Sequence, residues 1–368
     1  MSNQIKKVGV IGAGTMGAGI AGQVANAGTE VWLLDLPSNG ENVNILSAKG
    51  LERLKDPDMP GLMSEEAEKL INLGNTRDHF HELEDCDWIA EAVVERLDIK
   101  QALYRRLNDT CKESTIITSN TSTIPIKLLT EGMPTEFCER FAITHFFNPV
   151  RFMRLLELVR GEFTRDDVIN TLDVFSEINL GKGVVSCSDT PGFLANRVGV
   201  FAIQCALHNA FDLKLSPTEA DAFFGRPLGL PKTGVFGLYD LIGIDLMADV
   251  VKSLVSILPE NDAFHNYSAP IDFMTNMIAN GQTGNKNEKG FYKQDGDERK
   301  VINLSNGEYI QHERLKTPLL DMAEKNGLSV ILNDTGHYGI YIWRVLSETL
   351  CYAASLVPEV TEDLTQID

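Results

Sequence analysis

Three things are scarce in this 368-residue chain, and each argues against a class of function. Basic residues are outnumbered: 33 Lys and Arg stand against 52 Asp and Glu, a net charge of −19. Phosphate backbones are held by clustered Lys and Arg, so no nucleic-acid partner is expected, and an anionic ligand would need a local basic patch. The six cysteines (Cys86, Cys111, Cys138, Cys187, Cys205, Cys351) are scattered, with no Cys-x-x-Cys pair. That sets aside zinc and thiol-redox motifs, so no metal site is expected, and it fits a reducing cytoplasm. No apolar run approaches the roughly 18 residues of a membrane span. A signal peptide is not expected either, because Val8-Gly9-Val10-Ile11 already reads as a first strand. What remains is the composition of a soluble globular protein, 43% apolar and 23% charged, with length for two or three domains.

The first strand is followed by a helical stretch from Met16 to Ala27, a stop at Gly28, and a second strand, Val31-Trp32-Leu33-Leu34, closed by Asp35. From about Val43 to Leu73, Glu, Lys and Leu recur at helical spacing with a break at Pro57 and Pro60, which predicts an inserted helical pair. Further strands are expected at Trp88-Ile89-Ala90, Thr115 to Thr118, Phe141 to Thr144, Leu155 to Val159 and Gly183 to Val185. Helices are expected near Ile99 to Leu107 and over Asp166 to Ile178. After Asp189-Thr190-Pro191-Gly192 the strand signals stop and long apolar helices begin. Ser216-Pro217-Thr218-Glu219 combines an N-cap Ser, a Pro at the first helical position and a Glu three residues after the cap, a helix start. Asn280 to Asn287 reads as a loop and Asp295 to Arg299 as a polar turn.

Asn196-Arg197-Val198 and Trp343-Arg344-Val345 lie 147 residues apart, as do Asp221 and Asp368. Either the C-terminal segment is a partial second copy of the helical region, or two amphipathic helices match by chance. The expected architecture is therefore α/β: a Rossmann-type doubly wound sheet with a helical insert, then an all-α domain and a partial second copy of it. The boundaries are placed at 1–188, 189–295 and 296–368.

The first chemical motif is Gly12-Ala13-Gly14-Thr15-Met16-Gly17, between a strand and a helix, with Asp35 following 23 residues after Gly12. Gly12 permits the tight turn, Gly14 admits a pyrophosphate to the backbone, and Gly17 lets the helix pack on the sheet. The pyrophosphate would lie on the helix N-terminus, and Asp35 would accept from the adenosine ribose. No Lys or Arg occurs in Leu36-Pro37-Ser38-Asn39, so NAD is expected over NADP.

The second is His145 with Glu157, each at or near the end of a predicted strand. A carboxylate-held imidazole is the usual proton-transfer group near neutral pH. Alone, His145 would read as a core or surface histidine. Beside a nucleotide motif, the pair describes an alcohol dehydrogenase. Ser122, after a buried strand, is either a ligand contact or a helix cap before Pro125. Asn196 on an apolar helix needs a polar partner, which could be a substrate or another helix. Around Ala92, Glu95 and Lys100 either touch a ligand or pair as ordinary helix-start charges.

These motifs in this order resemble the 3-hydroxyacyl-CoA dehydrogenase family of fatty-acid β-oxidation. The match runs from Lys7 to about Asp245. It takes in Glu91-Ala92-Val93-Val94-Glu95, Ser119-Asn120-Thr121-Ser122, His145 to Pro149 with Glu157, Asp189 to Phe193 with Asn196-Arg197, and Leu241 to Asp245. The resemblance implies that His145 and Glu157 are the catalytic pair and that Ser122 and Asn196 contact the substrate oxygen. It implies NAD contacts from Asp35, Ala92, Glu95, Lys100 and Asn120, beside the fingerprint residues Gly12, Gly14, Thr15, Met16 and Gly17. It also implies that Asn148 lines the reaction centre.

Leu230-Pro231-Lys232-Thr233-Gly234 and Lys289-Gly290-Phe291-Tyr292 look like the long bacterial members, which carry a duplicated helical domain and an enoyl-CoA hydratase domain. This sequence is expected to stop inside the second helical copy without a hydratase domain. Lys49, Arg53 and Lys55 are candidate contacts to the CoA nucleotide, with a solvated helix face as the other reading. The implied reaction is NAD-dependent oxidation of (S)-3-hydroxyacyl-CoA. The rivals are another NAD-linked hydroxyacid dehydrogenase and a non-catalytic or decayed NAD-binding relative. An acyl-CoA substrate is the expected partner. A homodimer, or a separate polypeptide completing the second repeat, would cover an exposed apolar face.

Overall fold

Residues 8, 10, 31 and 33 are all fully buried valines and leucines, the pattern of strands covered on both faces. In the computed structural model, which describes residues 5–367, they belong to an eight-stranded sheet. The strands are β1 (Lys7–Ile11), β2 (Glu30–Asp35), β3 (Ile71–Asn75), β4 (Trp88–Glu91), β5 (Ile116–Ser119), β6 (Phe141–Phe146), β7 (Leu155–Arg160) and β8 (Gly183–Ser188). Their order is β3-β2-β1-β4-β5-β6-β7-β8, and every neighbouring pair is parallel except β6 with β7. The order reverses at β1, where open α/β sheets hold ligands outside the carboxyl ends of their strands.

The helix Thr15–Asn26 lies against β1 and β2 by burying small residues, Gly17, Ala18, Ala21, Gly22 and Ala25, with Ile20 and Val24 one turn apart. Small side chains bring its axis close to the sheet. Gly17 has no freedom to change, because a Cβ there would sit 1.7 Å from the Gly12 carbonyl oxygen.

The inserted segment differs from its expected form. It contains helices Ile45–Arg53 and Glu65–Lys69, but Ile71 to Leu73 are the start of β3, paired in parallel with β2. The Glu- and Lys-rich run hid a five-residue strand whose helical spacing was coincidental. Pairing with β2 outweighs local propensity there.

The chain divides into two compact units. One runs to Leu194 and takes in the chain from Val357 onward; the other is Ala195–Leu356. The division after β8 thus falls at Leu194, later than the expected 188. The last expected segment is shared: its residues through Leu356 belong with the helices, and those from Val357 with the sheet. The returning end is tied to β8, where Ser188 N–H donates to the Val360 carbonyl (2.8 Å) and Ser186 N–H to Gln366 Oε1 (3.0 Å).

The helical unit includes Ala195–Asp212, Pro217–Phe223, Gly234–Ile242, Ile244–Ile257 and His337–Ser355. The expected start at Ser216 is a full capping box with Pro217 at the first helical position. Helices Ala195–Asp212 and His337–Ser355 pack on each other. Phe201 stacks on Tyr352 at 4.2 Å, Arg197 donates to the Tyr352 hydroxyl at 3.2 Å, and Arg344 to Asp212 at 2.7 Å. Asp368, half of the second spacing match, lies outside the described residues.

The unit also holds a three-stranded antiparallel sheet, β9 (Tyr292–Asp295), β10 (Glu298–Ile302) and β11 (Tyr309–Gln311). The expected polar turn at Asp295 to Arg299 is the tip of its first hairpin, with Gly296 at φ 61°. The polar, Lys- and Glu-rich strands gave no period-two signal. Asp240 anchors the sheet: its carboxylate accepts from Phe291 N–H (2.8 Å) and Tyr292 N–H (2.7 Å). A Cβ on Gly290 would come 1.9 Å from Asp240 Oδ1, which explains the glycine in Lys289-Gly290-Phe291-Tyr292.

Candidate active site

The carboxyl ends of β1, β2, β4, β5 and β6 carry the nucleotide and proton-transfer candidates of the first unit. Gly12 turns out of β1 with φ 99°, and its N–H donates to the Leu34 carbonyl at 2.8 Å. A Cβ there would meet the Ala92 carbonyl oxygen at 2.4 Å, so β1 and the end of β4 are in contact through a glycine that can be nothing else. Gly14 differs: a Cβ would meet nothing within 4 Å. It is exposed, with Thr15, while Met16 is half-buried.

Gly14 caps the helix Thr15–Asn26, which has no side-chain cap and no acidic residue in its first turn. The first N–H groups therefore face open space with the positive end of the helix dipole behind them. That cradle fits a dinucleotide pyrophosphate. Asp35 ends β2, and its two carboxylate oxygens accept from Ala13 N–H and Leu36 N–H, each at 2.6 Å. This holds the carboxylate beside the glycine loop, where remaining lone pairs could take ribose hydroxyls. Arg53 donates to the Ala13 carbonyl, Lys55 pairs with Glu68 and Glu52, and Lys49 is exposed.

Glu91, at the end of β4, is fully buried and saturated. It accepts from Lys100 Nζ (2.7 Å), Tyr104 Oη (2.6 Å), Ser119 Oγ (2.7 Å) and Val93 N–H (2.8 Å). Lys100 is 1% exposed and bridges Glu91 to Glu95 (3.2 Å). Glu95 also accepts from the hydroxyls of Thr121 and Thr123; burial raises its pKa, but these donors and Lys100 together carry it below the ordinary value. Lys100 thus acts as an internal tether that orients Glu95, whose side chain is 40% exposed, beside half-buried Ala92.

Asn120 follows β5 and accepts from Phe146 N–H at 2.9 Å, joining the β5 end to the strand that bears His145. Ser122 is half-buried in the next bend. It does not cap the helix Ile126–Leu129. Asp189, from the far side of the unit, accepts from Ile126 N–H (2.9 Å) and Lys127 N–H (3.2 Å) in that role. The hydroxyl of Ser122 is left for another use.

His145 lies within β6, directly opposite Glu157 of β7 in the antiparallel register. Cross-strand neighbours on one face have Cβ atoms about 5 Å apart, and Nδ1 reaches Glu157 Oε2 at 2.6 Å. His145 is 7% exposed and Glu157 fully buried. The carboxylate engages Nδ1, so the neutral ring carries its proton there and presents Nε2 as a base.

The other Glu157 oxygen, Oε1, accepts from Leu194 N–H at 2.9 Å and lies 3.8 Å from Cys187 Sγ. Leu194 ends the turn Asp189 to Phe193, in which Gly192 has φ 76° and Phe193 the unusual φ of 48°. A non-glycine residue in that region is strained. Here it aims Leu194 N–H at Glu157 and sets the Phe193 ring 5.9 Å from the imidazole. In the sequence this turn marks a boundary and forms part of the family resemblance, but it assigns no role to Leu194, Cys187, Tyr104 or Ser119. Gly192 next to an aromatic residue was the available signal.

Phe147 packs its ring 4.4 Å from that of His145, and Asn148 is exposed beyond it. Asn196, half-buried, is the second residue of the helix Ala195–Asp212 in the helical unit. Among the described residues no cluster of His, Cys, Asp and Glu could hold a metal ion, and no helix is long and apolar enough to cross a membrane.

Comparison with known proteins adds independent findings. The family profile "3-hydroxyacyl-CoA dehydrogenase, NAD binding domain" matches residues 7–190, and "3-hydroxyacyl-CoA dehydrogenase, C-terminal domain" matches residues 192–294. The chain is 38% identical over 373 aligned residues to a putative fatty acid oxidation complex trifunctional enzyme of Rickettsia prowazekii, covering all of this chain and 51% of that protein. It therefore spans about half the length of that relative. It is 39% identical to a probable 3-hydroxyacyl-CoA dehydrogenase of Deinococcus radiodurans, over 80% of this chain and 85% of that protein. Among solved structures, M. tuberculosis FadB2 superimposes with a TM-score of 0.66 at 30% identity, over 80% of this chain and 100% of that one.

Proposed function

The chain belongs to the 3-hydroxyacyl-CoA dehydrogenase family, and on that premise we propose that it catalyses the reversible NAD-dependent oxidation of (S)-3-hydroxyacyl-CoA to 3-ketoacyl-CoA in fatty-acid β-oxidation. The observation that carries this reading is the His145 Nδ1–Glu157 Oε2 contact of 2.6 Å, between β6 and β7 of the sheet that also bears the glycine loop. NAD, when bound, supplies the hydride acceptor for C3 of the substrate. Gly12, Gly14, Thr15, Met16 and Gly17 would hold its pyrophosphate. Asp35 would hold the adenosine ribose, and Ala92, Glu95 and Asn120 would line the rest of its path; Lys100, expected as a contact, is buried and would act through Glu95 instead.

His145 Nε2 removes the 3-hydroxyl proton, and Glu157 fixes the tautomer and stabilises the imidazolium that forms. Ser122 and Asn196 hydrogen-bond the 3-oxygen, where negative charge gathers. Asn148 lines the reaction centre. The substrate is the anionic thioester; Lys49, exposed and in no ion pair among the described residues, is a candidate for its nucleotide.

The test is the consumption of NADH with acetoacetyl-CoA. His145→Gln should lower turnover by about 10²–10⁴-fold with little change in NAD affinity. Turnover with free hydroxyacids and none with the thioester would move the assignment to another hydroxyacid dehydrogenase. NAD binding without any turnover would make the chain a non-catalytic relative.

The proposed compartment is a reducing cytoplasm, supported by six free thiols. The proposed domain scheme is a nucleotide unit, a helical unit and a partial second helical copy whose helices begin after β11 and not at the expected 296, which is the tip of the first hairpin. The partner proposed is a second copy of the chain, with a separate polypeptide as the rival. Ile340, Trp343 and Leu350 supply the exposed apolar face of the helix His337–Ser355. Sedimentation at micromolar concentration that gives only monomer would reject self-association.

A further inference from the structure

We infer that Lys182, to which no role has been assigned above, is a positioning residue that locks the segment linking His145 to Glu157 in the geometry proton transfer requires. The segment Phe147–Arg154 joins β6 to β7 and carries Phe147, whose ring is tilted against the imidazole, and Asn148. Lys182 is 4% exposed. Its ammonium donates to the Val150 carbonyl and to the Met153 carbonyl (2.8 Å), and it lies 5.9 Å from the Phe146 ring centroid. It forms no salt bridge among the described residues. A buried cation without a counter-ion is costly, and burial pulls the Lys182 pKa down to about 8. Such a group persists where its donors answer carbonyls that would otherwise be buried and unpaired.

The surroundings show what the two bonds hold. On its outer side the segment is tied by Arg151, which donates to the Pro60 carbonyl (2.6 Å) and the Leu62 carbonyl (3.1 Å). At its end, Gly183 N–H donates to the Arg154 carbonyl (2.8 Å), directly beside Lys182. Val150 rests on the nucleotide-loop helix so closely that a Cβ on Gly19 would come within 2.8 Å of its Cγ2. Just before Lys182, Leu180 is bonded through its carbonyl to Gln23 of the same helix (2.8 Å). Lys182 therefore fastens, from inside, a segment that touches the imidazole on one side and the nucleotide helix on the other. Its effect on the chemistry acts through the placement of Phe147 and Asn148.

The inference rests on the proposed dehydrogenase reaction, so the test has one arm that needs no turnover. Lys182→Met keeps length and apolar bulk and removes both donors. It should lower kcat by about 10–100-fold, the scale of an ångström-level misplacement, with KM for NAD changed less than about twofold. Amide hydrogen exchange over Phe147–Arg154 should accelerate at least tenfold while exchange in β1 and β2 is unchanged. Lys182→Arg, which can still donate to two carbonyls, should recover most of kcat. Should the Met variant not fold, Lys182→Gln is read in the same way.

A lowered melting temperature with kcat intact would make Lys182 merely structural and overturn the inference. Unchanged exchange in the segment would do the same, even if the wild-type chain proved inactive. If the wild type is inactive and exchange still accelerates, the locking role stands and only the assigned reaction fails.

Discussion

Replacing Glu157 by Gln tests the proton-transfer reading at the atom that matters. The glutamate's two oxygens serve different neighbours: Oε2 accepts from His145 Nδ1 at 2.6 Å, and Oε1 accepts from Leu194 N–H at 2.9 Å. Glutamine has one carbonyl oxygen and one NH₂. Leu194 N–H is only a donor, so the Gln oxygen must turn to it and the NH₂ must face Nδ1. Nδ1 then accepts, the ring proton moves to Nε2, and Nε2 can no longer take a proton from the substrate. The loss also includes the charge that stabilised the imidazolium. A wrong tautomer at this position is worth roughly 10⁴ in turnover in the serine-protease triad. Here we expect a loss of about 10³–10⁴, or roughly 4–5.5 kcal/mol of barrier.

Stability should change far less, because the substitution removes a fully buried charge at the same time as its hydrogen bond. Steady-state NADH consumption with acetoacetyl-CoA, beside a thermal melt, separates the two effects. Turnover within threefold of wild type would refute the tautomer argument. A collapsed melting temperature with proportionate activity loss would make Glu157 a structural residue.

Two glycines of one motif should fail differently. Gly17→Ala forces a Cβ into the Gly12 carbonyl and should cost at least about 1–3 kcal/mol of stability, read by thermal melting. Gly14→Ala clashes with nothing in the protein, so the melt should hold while NAD affinity, measured by calorimetry, falls on the order of tenfold, or about 1.4 kcal/mol; unchanged affinity would move the pyrophosphate elsewhere. Asp240→Asn leaves one of two buried N–H donors facing an NH₂ and should destabilise the helical unit by about 1–3 kcal/mol, as followed by denaturant unfolding. Lys182 has a folded pKa of about 8, below its ordinary 10.5, so the unfolded chain binds the extra proton between those values. Stability relative to Lys182→Met should therefore rise as pH increases from about 8 to about 10.5, and a fall over that range would contradict the burial argument.

What the sequence could determine by itself was whatever a few neighbouring residues encode. The glycine loop, Asp35 at the end of its strand, and the capping box at Ser216 are local devices, and each is where spacing and turn chemistry put it. His145 and Glu157 were legible as candidates because their strands have plain apolar patterns. Their directly opposed register, which makes them a pair, is a property of the sheet. Only tertiary structure decided the rest. β3 was hidden in a run of helix-forming residues until β2 offered it hydrogen bonds. Asp189 marked only a change of pattern and a motif, yet it caps a helix 63 residues away, and Leu194 nearby holds the carboxylate of Glu157. Nothing in the sequence around Lys182 announces the two carbonyls that enclose it. Local periodicity is written in the order of residues. A buried donor's partner is chosen by which distant atoms packing brings within 3 Å, and no window of sequence contains that.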